Sequence, residues 1–196
     1  MPGNIKKLET IAKWEAEEKP KLLEEAYRKT SFNGAFGEIF CIGLALDDDP
    51  IVRVIRRSLL DNFASEKTIL EEFFYSLEAN CRAPKFVTFN GNNFDLPFIY
   101  HRAVILGIRP PAFFPRPLDI KPWGGPTADV MTMWAGSRGT ISQDNLAKAL
   151  GFEGKGDFDG SMVWDAVQAG EEQKVAEYCK DDVETLRKIY KRLVFA

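Results

Sequence analysis

The stretch 85-KFVTFNGNNFDLPFIYHRA-103 begins as a strand and ends as a helix. Residues 85–89 are a short run rich in β-branched and aromatic side chains, the composition of a buried strand. Asn90-Gly91 is a turn signal, because glycine frees the backbone to reverse. From Asp95 the apolar residues recur at helical spacing through Leu106, with Pro97 near the first turn, where a missing N–H costs nothing. A strand that delivers polar groups where it ends is the usual geometry of an α/β site. On these residues alone two readings stand. Asp95 is a plain N-cap, or it is an acid aimed into a site from the start of a helix.

Working outward, residues 4–29 read as a charged helix with apolar marks at Ile5, Leu8, Ile11, Leu22, Leu23 and Ala26. Lys and Glu are nearly balanced there, the pattern of a solvated face. Pro20 either kinks this helix or starts a second one. The segment 31-SFNGAFG-37 is a turn-rich linker. Next, 38-EIFCIGLAL-46 and 51-IVRVIRRSLL-60 read as two strands of a hairpin about 47-DDDP-50. Ser65 caps a helix whose apolar positions are Ile69, Leu70, Phe73, Phe74 and Leu77. Downstream, residues 107–126 hold six prolines and form an irregular excursion expected near the site or over it. Ser142 opens a helix that ends at Gly151. Residues 171–193 form the last helix, with Val175, Cys179, Val183, Leu186, Tyr190 and Leu193 as its core face. This order predicts one mixed α/β domain over residues 1–196, rather than a sandwich or a bundle.

Composition agrees with such a domain. The 196 residues suffice for a real core, and 45% apolar with 12% aromatic content argues against disorder. No apolar run is long enough to cross a bilayer, and the N-terminus has no apolar signal region. The three cysteines, Cys41, Cys81 and Cys179, form no CxxC pair, which predicts reduced thiols in a cytoplasmic protein. A net charge of −3 argues against a broad basic surface for duplex DNA and leaves room for a nucleic-acid enzyme with a local site.

A second constellation is 178-YCKDD-182. Tyr178 and Asp182 are four apart, so on a helix they stand one above the other, beside the core face. A hydroxyl next to a carboxylate there suits positioning a water and holding a metal. Together, "FNGNNFD" and "YCKDD" resemble the second and third motifs of the DEDD 3′–5′ exonucleases, in the tyrosine-bearing subclass. In particular the chain resembles predicted 3′–5′ exonucleases related to the proofreading domain of family-B DNA polymerases. The stretches 14-WEAEEKP-20, 27-YRKTSFNGAFGEI-39, 129-DVMTMW-134 and 154-GKGDFDGSMV-163 agree with that family.

The resemblance implies a ribonuclease H-like mixed sheet flanked by helices, two divalent cations (Mg²⁺ or Mn²⁺), and removal of nucleotides from single-stranded DNA 3′ ends. Asp95 would help hold one ion, Asp182 would ligate the other directly, and Tyr178 would orient the attacking water. A phenol titrates near pH ~10 and is a poor general base; metal is what makes hydroxide available near neutrality. Hard oxygen ligands suit both ions. Asn90 and Phe94 would contact the terminal nucleotide, Phe94 by stacking; plain packing is the other reading of Phe94.

The family's first motif, a strand ending in Asp-x-Glu, lies in the resemblance ahead of the segment that aligns with residue 4 onward, and this chain does not contain it. The stretch 7-KLET-10 mimics its tail with Lys7 where aspartate should stand. Asp47–Asp49 follow a strand but read as a hairpin turn. Two dications about 4 Å apart need several carboxylates. With Asp95 and Asp182 alone, weak metal binding and little or no hydrolysis are expected. The sheet would lack its first central strand, leaving open edges suited to self-association. The alternative is a non-catalytic homologue that binds nucleic acid or a partner. Among other residues, His101 is read as surface or packing. Arg102, Arg109, Arg116 and Lys121 are candidates for phosphate contacts or an ordinary solvated loop. Lys155 sits in a glycine run too short for a phosphate loop. Asp129 and Asp159 read as a helix cap and a turn residue, and Trp14, Trp123, Trp134 and Trp164 as packing.

Overall fold

The computed structural model describes residues 8–56, 65–121, 124–154 and 156–196. The charged N-terminal segment breaks into α1 (Leu8–Glu17) and α2 (Lys19–Lys29). Pro20 stands in the first turn of α2, so it starts a second helix rather than kinking one. Residues 8–10 are already helical, so the Asp-x-Glu mimic there is no strand. α2 buries none of its side chains, as its balanced charge predicts. Two contacts tie it to the body. Arg28 donates to both oxygens of Asp165 at 3.0 and 2.7 Å, and Tyr27 meets Trp164 edge-on with ring centres 5.4 Å apart.

A 3-10 turn, Thr30–Phe32, leads to the hairpin of β1 (Cys41–Ala45) and β2 (Val52–Arg56). Its turn is the Asp-Asp-Asp-Pro segment: Asp49 N–H donates to the Leu46 carbonyl and Asp49 Oδ1 accepts from Ile51 N–H. The second strand ends at Arg56; the rest of its expected span, residues 57–60, lies outside the described residues. Ser65 caps α3 (Glu66–Asn80) by accepting from Thr68 N–H at 3.3 Å. Ile69, Leu70, Phe73, Phe74 and Leu77 are all buried. Glu66, at 6% exposure, receives Arg102 in a two-pronged ion pair at 2.7 Å on each oxygen and also accepts from Ile39 N–H. That corrects the phosphate-contact reading of Arg102: its guanidinium is spent inside the fold.

β3 (Phe86–Thr88) and α4 (Asp95–Ile105) follow. The proline-rich excursion has no helix or strand in its described part. Phe114 anchors it in the core, edge-on against Phe73, Phe74 and Phe86, and at its far end the Lys121 carbonyl accepts from Asn92 Nδ2. It leads into β4 (Thr127–Asp129), a strand the sequence did not announce. Then come α5 (Val130–Ala135), α6 (Gln143–Ala149, capped by Ser142), α7 (Val163–Gln168) and α8 (Glu172–Val194).

Among the described residues the strands form two sheets of two, antiparallel β1–β2 and parallel β3–β4. α8 lies against both. A Cβ on Gly43 of β1 would sit 2.8 Å from Cys179 Sγ and Val183 of α8, so only glycine lets the helix this close. Val87 of β3 joins Leu186, Ile189 and Tyr190 of α8 in a core with Leu146. On the opposite side Ile42, Leu44 and Phe86 pack with α3 and α4 in the larger core. The result is a mixed α/β domain with strands between helical layers. β3 is only half-buried along its length, and so are Val183 and Leu186 of α8. Of the tryptophans read as packing, Trp134 and Trp164 are instead 48% and 38% exposed, and Trp123 lies outside the described residues. Among the described residues no helix is long and apolar enough to cross a membrane.

Candidate active site

The turn after β3 is built on two sequence requirements. Gly91 is buried, and a Cβ there would lie 2.4 Å from Thr88 Cβ, so no larger residue fits. Asn90 adopts a left-handed φ of 60°, which asparagine tolerates better than most residues. Asp129, 3% exposed at the end of β4, clamps the turn from beneath. Its Oδ1 accepts from Asn90 N–H at 3.0 Å and Thr132 N–H at 3.2 Å, and its Oδ2 accepts from Asn92 N–H at 3.0 Å. Asp129 is therefore the cap of α5, as read, and also the anchor of the loop, a role the sequence reading missed.

This clamp sets where Asp95 points. Phe94 N–H donates to the Asn90 carbonyl and Leu96 N–H to the Gly91 carbonyl, winding the chain straight into α4. Asp95 is the first residue of that helix; Phe94 occupies the cap position and makes no side-chain cap bond. The plain N-cap reading of Asp95 is thus replaced. Desolvation pushes its carboxyl up to about 6, with Asp129 and Asp182 adding like-charge repulsion. The residue still meets solvent on its outer side, so water moderates that shift. The helix N-terminus beside it favours the charged form.

Tyr178 and Asp182 lie one turn apart on α8, both half-buried. Phe158 covers the Tyr178 ring edge-on at 5.2 Å, and a Cβ on Gly160 would sit 3.9 Å from its hydroxyl. The Asp182 carbonyl accepts from Gln143 Nε2 at 2.7 Å, which pins α8 to the start of α6 at this level. One position away from Tyr178, Cys179 shares a hydrogen bond with Cys41 of β1; that bond lowers the Cys41 thiol and raises Cys179. All three cysteines are free.

The structure therefore brings Asp95 and Asp182 into electrostatic reach of each other, from helices far apart in the chain, and adds Asp129 to them. Phe94 is half-buried, its ring 5.6 Å from Phe98 and 6.2 Å from Phe32. Asn90 Oδ1 accepts from Asn93 Nδ2 at 3.1 Å. His101 is exposed and lies against Gly34 of the linker, away from these acids in role. Arg116 pairs with Asp119 at 2.6 Å, and Lys155 lies outside the described residues.

As metal donors, Asp95 and Asp182 suit Mg²⁺ or Mn²⁺ in type. They fall short in number. Asp129 already accepts three backbone N–H groups, and among the described residues no group of three or more His, Cys, Asp or Glu is placed to hold a metal ion. The residues present do not complete a two-ion set.

A family model described as a predicted 3′–5′ exonuclease related to the exonuclease domain of PolB matches residues 32–195. No curated protein matches the chain at a significant level.

Proposed function

Because the chain belongs to the family of predicted 3′–5′ exonucleases related to the exonuclease domain of PolB, we propose that its site takes the 3′ end of single-stranded DNA for phosphodiester hydrolysis, in the manner of the tyrosine-bearing subclass. Asp95 and Asp182 are the carboxylates offered to Mg²⁺ or Mn²⁺. Tyr178 orients the attacking water through its hydroxyl. Phe94 stacks on the terminal base and Asn90 borders the same nucleotide. The observation that supports this reading is the placement of Asp95 at the start of α4 with Asp129 and Asp182 near enough to add like-charge repulsion, beside the larger effect of desolvation.

The shortfall of carboxylates sets the expected level of activity. With no complete set of acids placed among the described residues to offset the charge of two dications, weak cutting or none is expected. Weak Mn²⁺-dependent shortening of a single strand, lost in Asp182→Ala, supports the proposal. Shortening that survives both Asp95→Ala and Asp182→Ala rejects it. Fusing a strand that carries Asp-x-Glu ahead of residue 1 should raise the rate at least tenfold.

A second reading, favoured by the same donor shortfall, is a non-catalytic homologue that binds nucleic acid or a partner. It predicts saturable binding of a single strand with no cutting in any version, including the strand fusion. The remaining proposals are those of the fold. The 196 residues act as one domain, the free thiols suit a reducing cytoplasm, and β1 and β3, paired on one side only among the described residues, favour self-association.

A further inference from the structure

We propose that Phe32 is a base-stacking residue that receives the nucleotide next to the 3′-terminal one, extending the path of a single strand away from Asp95. The inference rests on the exonuclease reading above and adds to it a binding residue outside both recognised motifs.

Phe32 closes the 3-10 turn after α2 and is 71% exposed. A large apolar ring this open gains little from burial, so packing does not explain it. Nor is it on a slack loop. Asn33 N–H donates to the Thr30 carbonyl at 2.9 Å, Gly37 N–H to the Asn33 carbonyl at 2.8 Å, and Asn33 Oδ1 accepts from Ala35 N–H at 2.9 Å. The turn is also seated hard on α4. A Cβ on Gly34 would lie 2.9 Å from His101 Cβ, and one on Gly37 would lie 2.8 Å from the Phe98 ring. A tightly fixed turn thus holds an aromatic side chain out in solvent.

Its direction is informative. The Phe32 ring stands 6.2 Å from Phe94 at a tilt of 53°, and Phe94 immediately precedes Asp95. Two rings therefore stand side by side, one next to Asp95 in the chain and the other open to solvent. Stacking on successive aromatic side chains is how proteins hold single strands without reading sequence. Three residues before Phe32, exposed Lys29 ends α2 and offers a cation within reach of the same turn for a phosphate of that strand.

The test is binding of the full chain to a fluorescein-labelled oligothymidylate in Ca²⁺, followed by anisotropy. Phe32→Ala should weaken binding about tenfold. Phe32→Trp, which keeps a stacking face, should stay within about twofold of the parent, and Phe32→Leu should behave like Phe32→Ala. An abasic residue at the penultimate position of the strand should erase the difference between parent and Phe32→Ala, which a merely structural role would not do. If the parent binds and Phe32→Ala binds equally well, the inference falls while the exonuclease reading stands. If Phe36→Ala, at an exposed ring four residues further on, loses as much, a general apolar face is at work and the inference also falls. If the parent binds no single strand, both fall.

Discussion

Asp95 carries a cost that desolvation imposes first and its acidic neighbours add to. Its folded-state pKa of about 6 lies above the ordinary carboxylate value of 3.8. A carboxyl raised in this way favours the fold when protonated. Its contribution is fully present below about pH 4 and is lost as pH rises through about 6. In EDTA, Asp95→Asn should therefore melt roughly 1–3 °C above the parent at pH 7, and the gain should vanish at pH 4; equal melting at pH 7 would refute the raised carboxyl of Asp95. Gly91→Ala should cost about 1–3 kcal/mol in urea unfolding, since its Cβ would press on Thr88 at 2.4 Å. At this scale the sequence was legible where spacing speaks. Tyr178 and Asp182 are a helical turn apart, and Asp95 opens a helix. Asp129 was half legible: a cap can be read from one residue's neighbours, whereas its grip on Asn90 and Asn92 is long-range and leaves no local mark.

Elements with a full period were readable; of the two three-residue strands, β3 was announced by its composition and the Asn-Gly turn after it, and β4 was not. α3 showed its five apolar positions and its serine cap, and all of them pack as the periodicity demands. β4 has three residues, too few for alternation, and is defined by pairing Phe86 with Thr127 across the proline-rich excursion. The join of α4 to α3 was misjudged for a related reason. Arg102 looks like a free cation beside a loop, but Glu66 reaches it from another helix. Replacing Arg102 with Leu should cost about 3 kcal/mol, because it strands a carboxylate at 6% exposure. Arg116→Ala removes an exposed pair with Asp119 and should change stability by less than about 0.5 kcal/mol. Parallel urea titrations of the two variants separate these outcomes; similar losses would mean the Arg102 pair is not desolvated.

For the molecule as a whole, the strands divide into two pairs held side by side by shared helices. Among the described residues β1 and β3 each pair with a strand on one side only, and half-buried Val183 and Leu186 of α8 lie close by. Light scattering should show mass rising with concentration above that of one chain; a clean monomer across the range would count against these edges as sticky surfaces. The helix that supports both pairs has a further consequence. α8 follows in the chain all the strands it covers, so those strands come off the ribosome earlier than it does. Until residues 172–194 emerge, the hollow over Gly43 and the flank of Val87 have no lid, and nascent chains are exposed to mispairing throughout that interval. Yield of intact protein should therefore depend on translation speed and on holding chaperones more than on the stability of the finished fold.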